Sequence, residues 1–195
     1  EEIIQQEFYC SFEAAIQGAY FSNEMQTVKK EGRISLFPVD VNLPVHTAWD
    51  IGMRDATSIG LYQVHTNNDV KLIYHFEEYR QPVHYYAFEL KKIQQQLGFK
   101  RYGIHFAPHD IRVQEWGSGR TRIEQAQSAG INFRIVPNHK IVERIQCIRA
   151  MFPRFHFHEH NCKHLIRACH EYHAVYDEKR KVYGKAPDHD WSSHS

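Results

Sequence analysis

The chain has no apolar run near the roughly 20 residues that a membrane helix needs. Its first residues, EEIIQQEFYCSF, lack the basic and apolar segments of a signal peptide, so the expected address is cytosolic. Cysteine is scarce. Cys10, Cys147, Cys162 and Cys169 form no CxxC pair, which argues against a disulfide scaffold and for reduced, mostly buried thiols. No GxxxxGK[ST] loop occurs, so the chain carries no phosphate cradle for ATP hydrolysis. Excess charge is missing too: 24 Lys and Arg against 23 Asp and Glu give a formal +1, which removes the case for a uniformly basic nucleic-acid binder. With 42% hydrophobic and 24% charged residues, disorder, collagen and coiled coil are poor descriptions. At 195 residues the chain suits one core, with or without an attached arm, better than two independent domains.

The small net charge conceals an uneven distribution. Residues 112 to 185 hold 14 Lys and Arg against 7 Asp and Glu, a net of +7, after a first part with 10 against 14. Histidine is abundant at 15 residues, so mild acid would make the protein much more cationic. Within RFHFHEHNCKHLIRACHEYH, residues His156, His158, His160, Cys162 and His164 alternate. Zinc ligation is one explanation, although structural zinc sites usually show tight ligand pairs and a spacer; a solvated or nucleic-acid-facing histidine cluster is the other.

Residues 1–20 suggest one helix, and the polar stretch from Phe21 to Pro44, with Gly32, Pro38 and Pro44, fits an arm or linker. The division expected is therefore 1–40 as helix and arm and 41–195 as the main domain. Strand signals follow at His46 to Ile51, Thr57 to His65 and Val70 to Phe76, the last two joined by the turn Thr66 to Asp69. The period then changes: Tyr86, Leu90, Ile93 and Leu97 form a helical stripe ending at Gly98. Beyond it come a strand at Tyr102 to Ala107, a helix at Thr121 to Ala129, a strand at Asn132 to Val136, an amphipathic helix lined by Ile141, Ile145, Ile148 and Phe152, and a helix from Lys163 to about Tyr172. A polar stretch from Asp177 to Pro187 precedes the terminal DHDWSSHS. This order predicts an α/β fold with a mixed five-stranded sheet, three strands antiparallel and two parallel, flanked by helices.

Two aspartates stand at ends of predicted strands, where α/β sheets place chemistry. Asp50 lies in TAWDIG and Asp110 in FAPHD; if the first and fourth strands are neighbours, the two carboxylates share one sheet edge. Close carboxylates repel unless a cation separates them, and hard Mg²⁺ or Mn²⁺ suits carboxylate oxygen. Two such ions about 4 Å apart support phosphodiester hydrolysis. A surface acid and a turn or cap residue are the plain alternative. Asp188, Asp190 and His194 form a third polar locus, and Asp55 is a further candidate ligand or turn residue. At GSGRT and the residue after it, Arg120 and Arg122 precede or open a helix and are candidates to contact DNA phosphates, with a solvated helix start as the alternative.

Taken in order, EFYCSFEAAIQGAYF, TAWDIGMRDATSIGLYQ, YGIHFAPHDI, SGRTRIEQAQSAGI and PDHDWSSHS resemble the C-terminal nuclease domain of the large terminase subunit of tailed bacteriophages. The resemblance covers nearly the whole chain, its opening helix resembling the end of the preceding ATPase domain and its linker. It implies a ribonuclease H-like fold and metal-dependent, two-metal endonuclease cleavage of concatemeric viral double-stranded DNA during genome packaging. By position it implies Asp50 and Asp110 as metal ligands. In many relatives the last acid follows a histidine after two residues; here His194 is followed only by Ser195, so that acid is expected past this sequence, with Asp190 as the in-chain substitute and Asp188 next. Asp50, Asp110, Asp190 and His194 are thus the catalytic candidates, the first three holding two Mg²⁺ or Mn²⁺ ions. The resemblance further implies the terminase small subunit and portal protein as partners in the full motor, and the host cytoplasm as location. A resolvase-type nuclease of the same fold and a noncatalytic docking domain for DNA or portal remain as alternatives.

Overall fold

The computed structural model describes residues 18–52, 56–113, 119–177, 181–188 and 190–194, leaving aside the side chains of Asp110, Asp177, Lys185 and His194. The expected opening helix, Cys10 and Asp55 lie outside the described residues.

Strand β2 (Val45–Ile51) buries Val45, Thr47 and Trp49 and leaves Ala48 and Asp50 exposed, the period-two pattern of a sheet with one face in a core. It pairs antiparallel with β3 (Ala56–Val64), which pairs antiparallel with β4 (Val70–Tyr79). Helix α2 (Val83–Leu97) then buries Tyr86, Leu90 and Ile93 and stops at Gly98, whose φ of 74° is a left-handed cap that glycine takes without steric cost. Strand β5 (Tyr102–Ala107) returns beside β2 in parallel, and after α3 (Arg122–Ser128) strand β6 (Phe133–Ile135) adds to β5, also in parallel. These five strands have the expected pairing and neighbours.

The sheet has seven strands. Before β2, the stretch that reads as an irregular arm holds helix α1 (Ser22–Lys30) and the two-residue strand β1 (Ile34–Ser35). After helix α4 (Ile141–Met151), strand β7 (Phe155–His158) pairs in parallel with both β1 and β4, giving the order β1-β7-β4-β3-β2-β5-β6. Every strand runs the same way except β3. Helix α5 (Lys163–Glu171) follows, then a separate hairpin of β8 (Ala174–Asp177) and β9 (Val182–Pro187) in the stretch read as polar connection.

Two cores lie on opposite faces. On one, α2 and α3 cover Val45, Trp49, Ile59, Leu61 and Ile73. On the other, α1, α4 and α5 contribute Met25, Val28, Ile145, Leu165 and Ile166 around Phe157, with Leu72 against them. A register shift after Leu61 and Tyr62 puts Leu72 on this second face while Tyr74 packs on the first, although strict alternation places them together. The second core covers the β4 and β7 side of its face, leaving Ala48 and Asp50 on β2 open to solvent. Arg33 closes this side, its guanidinium donating to the carbonyls of Phe152 and Phe155 at 2.8 and 2.6 Å.

Candidate functional site

Directly paired residues on antiparallel strands point to the same face, so register gives the layout of the uncovered part. Asp50 on β2 stands opposite Ser58 on β3, and Ser58 opposite Glu77 on β4. One row back, Ala48, Gly60 and His75 form a parallel line. Both rows lie toward the carboxyl ends of β2 and β4, the edge where parallel strands leave their ends free of crossovers.

Strand β5 delivers the second candidate acid to the same edge. Ala48 pairs with Phe106, so Asp50 lies two residues further along β2 while β5 ends at Ala107. The backbone then turns through a 3-10 segment, His109–Arg112, which contains Asp110 and is anchored by buried Ile111. The first and fourth predicted strands are therefore neighbours, with Asp50 and the backbone of Asp110 at adjoining strand ends.

The chain comes back to this face after β9. The 3-10 turn Trp191–His194 lies against α5 and β3. Trp191 is held between two side chains of α5: the His164 ring centroid is 5.0 Å from it and the Arg167 guanidinium 4.8 Å. Arg167 is fixed in turn by Glu171 at 2.8 Å. Asp190 precedes the turn and caps it, its Oδ1 accepting from the Ser192 backbone N–H at 2.9 Å and from the Ser192 hydroxyl at 2.5 Å. Asp188 is engaged elsewhere, with its carboxylate 3.6 Å from His173 Nε2 and its N–H donating to the His173 carbonyl.

Arg120 and Arg122 flank the start of α3. Thr121 and Glu124 form a capping box there: the Thr121 hydroxyl accepts from the Glu124 N–H at 3.2 Å and Glu124 accepts from the Thr121 N–H at 2.7 Å. That bond to the backbone, joined by the Thr121 hydroxyl, lowers the Glu124 pKa. The helix start is thus served by its own side chains. Arg122 also lines a pocket of about 400 Å³ beside the strand ends, shared with Trp49, Gly52, Arg80, Tyr86 and Ile111.

The alternating histidines do not form one face. Strand β7 ends at His158 and α5 begins at Lys163. His156 faces Asp69 at 3.4 Å, His158 lies edge-on to Phe37, and the buried Cys162 thiol donates to the Leu72 carbonyl, with its pKa pushed up to about 12 by burial. Only His164 of that run joins a group with ligand-like spacing, and its companions come from β4. Nε2 of buried His75 lies 3.7 Å from Glu77 Oε1, and His164 Nδ1 lies 3.6 Å from the same oxygen. The two imidazoles stack at 5°, with centroids 5.8 Å apart, and Ser58 Oγ is 2.9 Å from His75 Nε2. Burial, followed by His164, drives the His75 pKa down to about 3, so the ring is neutral. His75 and Glu77 sit two apart in a strand, a same-face pair visible in the sequence; their pairing with His164 depends on how α5 crosses β4.

No protein-family model matches the chain, and no curated protein matches it. Solved structures do resemble it in fold. The large terminase of a thermophilic bacteriophage superposes with a TM-score of 0.60 at 14% identity, over 84% of this chain and 40% of that one. The P22 large terminase nuclease domain gives 0.55 at 16% identity over 80% and 81%, and the large terminase nuclease from thermophilic phage G20c with bound magnesium gives 0.54 at 15% over 92% and 95%. The chain thus spans about 40% of the first of these proteins and nearly the whole of an isolated nuclease domain. Its fold is that of the large terminase nuclease domains, a ribonuclease H-like mixed sheet flanked by helices.

Proposed function

We propose that this chain is the nuclease part of a phage packaging motor and that it cuts concatemeric double-stranded viral DNA by metal-dependent hydrolysis. The observation that carries this is the juxtaposition of Asp50 near the end of β2 with the Asp110 turn after β5, at the edge to which the Trp191–His194 turn returns. The likeness to nuclease domains of large terminases, one with bound magnesium and another with bound cobalt, supports it.

The donor set fits hard divalent ions. Asp50 is exposed on a face that the second core leaves open, and the other two candidate acids belong to separate elements of the chain. Asp50, Asp110 and Asp190 would hold two Mg²⁺ or Mn²⁺ ions. When bound, such ions lower the pKa of water and neutralise charge on a leaving oxygen. The residues supply placement: β2 and β5 are locked by their ladder, and Asp190 is oriented by its own turn, leaving Oδ2 as the oxygen not committed to Ser192. His194, at the end of that turn, would contact the scissile phosphate on this reading. Arg120 and Arg122, with the basic residues from Arg112 to Lys185, would grip flanking phosphates without reading bases. The small subunit and portal protein are the partners expected in the assembled motor, in the host cytoplasm; no described helix is long and apolar enough to cross a membrane.

The test is plasmid cleavage with Mg²⁺ or Mn²⁺ by the wild-type chain and by Asp50→Asn. The substitution keeps size and removes charge at an exposed position, so cleavage should be lost while the circular dichroism spectrum is retained. Undiminished cleavage by the variant refutes the assignment. Running linear, supercoiled and four-way-junction DNA side by side separates packaging-type cleavage from junction resolution.

A further inference from the structure

We propose that His75, Glu77 and His164 form a second metal site, for a zinc-type transition ion rather than magnesium, which ties α5 and the Trp191–His194 turn to the sheet. Its donors come from two elements: His75 and Glu77 from β4, His164 from the first turn of α5. The three donor atoms lie within 4.8 Å of one another. Donors around a tetrahedral ion stand about 3.3–3.5 Å apart, given bonds of about 2.0–2.2 Å. The 3.6 and 3.7 Å separations to Glu77 Oε1 need only a few tenths of an ångström of closure, and the wider histidine pair can close by rotation of the more exposed His164.

Donor chemistry sets the ion. Two imidazoles and one carboxylate form a nitrogen-rich set that suits Zn²⁺ or Co²⁺ and is poor for Mg²⁺, which prefers oxygen. Asp50 and the Asp110 turn would offer oxygen, which suits Mg²⁺. Access is open on one side only: His164 is 48% exposed and His75 1%. An ion there would displace the Ser58 hydroxyl from His75 Nε2, and the open side leaves a coordination position for water.

The consequence is positional. His164 also carries Trp191, and Trp191 begins the turn that Asp190 caps. An ion bonded to His164 would fix the α5 end of that chain of contacts and stiffen the segment bearing the third candidate acid. This role is independent of whether the carboxylate site performs hydrolysis.

The experiment is equilibrium dialysis of the EDTA-stripped chain against Zn²⁺, with Co²⁺ visible absorption as the geometric readout. Wild type and Asp50→Asn should each bind one Zn²⁺ that tenfold excess Mg²⁺ does not displace, and should give the intense d–d bands of a tetrahedral cobalt site. His164→Ala and Glu77→Gln should bind Zn²⁺ at least about 100-fold more weakly, because loss of a ligand costs at least as much as loss of its supporting shell. Unchanged Zn²⁺ affinity in His164→Ala overturns the proposal, as does absence of a tight wild-type site. Loss of the site in Asp50→Asn also overturns it, by placing the ion at the carboxylates instead. Plasmid cleavage is read separately, so failure here leaves the Asp50 assignment to its own test.

Discussion

Acid is predicted to weaken this fold through His75, by an amount that follows from where the ring sits. The side chain is 1% exposed, and burial, with His164 beside it, holds its pKa down to about 3 against an ordinary 6.5. An unfolded chain takes up this proton near pH 6.5, whereas the folded chain resists until about pH 3. Between those limits the unfolded state binds more protons, so stability is complete above pH 6.5 and is lost as pH falls. Each unit below 6.5 costs about 1.4 kcal/mol, so moving from pH 7 to pH 5 removes about 2 kcal/mol through this one ring. Both pH values lie well above the folded pKa, so the difference depends almost wholly on the unfolded value. Burial also lowers the pKa of His46, His65, His105 and His158, and those rings add losses of the same sign. The comparison that isolates His75 is therefore urea unfolding of wild type and His75→Gln at pH 7 and pH 5, with EDTA present. Wild type should lose about 2 kcal/mol more than the variant between the two pH values. Equal losses refute the argument, because they would mean that His75 is protonated in the folded state or plays no part in the transition.

Two further outcomes follow from packing and charge. Gly103→Ala on β5 should destabilise by about 1–3 kcal/mol in the same urea assay, because a Cβ there would lie 2.7 Å from the His46 ring, which is stacked on Tyr62 and accepts the Ile104 N–H. A loss under 0.5 kcal/mol would show that His46 moves aside freely. Replacing Arg120 and Arg122 together with Ala should weaken duplex DNA binding for all sequences alike and reduce the slope of log K against log salt by about 0.9 for each phosphate contact removed. An unchanged slope, measured by fluorescence anisotropy, would take both arginines out of the interface.

The parts legible in the sequence were those whose pattern is local. The stripe of Tyr86, Leu90 and Ile93 with Gly98 behind it, and the hairpin of β3 and β4, carry their own period and stop signals. The parts that escaped need a partner to exist. Strand β1 has two residues and β7 four, too few for alternation to register; β1 is a strand because β7 lies alongside, and β7 because β1 and β4 flank it. Helix α1 hides its stripe among polar residues: Phe21, Met25 and Val28 fall at i, i+4 and i+7, yet their burial depends on Phe152 and Phe157, more than 120 positions on. The polar stretch read as an arm includes Arg33, which is buried and satisfies two carbonyls at the α4–β7 junction.

The same distinction explains what was readable of the site. Asp50 and Asp110 could be picked out because strand ends are marked locally by Gly52 and Pro108, and because a parallel return of the fourth strand beside the first is the simplest topology for the order of elements. His75, Glu77 and His164 could not, since one register shift in β4 decides which face its side chains take and the crossing of α5 decides what they meet. The alternating histidines do not share one strand: alternation implies a continuous strand, and the turn from His158 to Lys163 ends it before His164. What remains is a contrast of donor type between two places on this face. Asp50 stands exposed at the end of β2, beside the turn after β5 whose backbone includes Asp110. Between β4 and α5 the donors are two imidazoles and one carboxylate, and burial keeps the His75 ring neutral. On the two proposals above, Mg²⁺ would be kept from the nitrogen-rich set by its preference for oxygen, whereas Zn²⁺ can also bind carboxylates, so the Asp50→Asn variant is what tells the two sites apart.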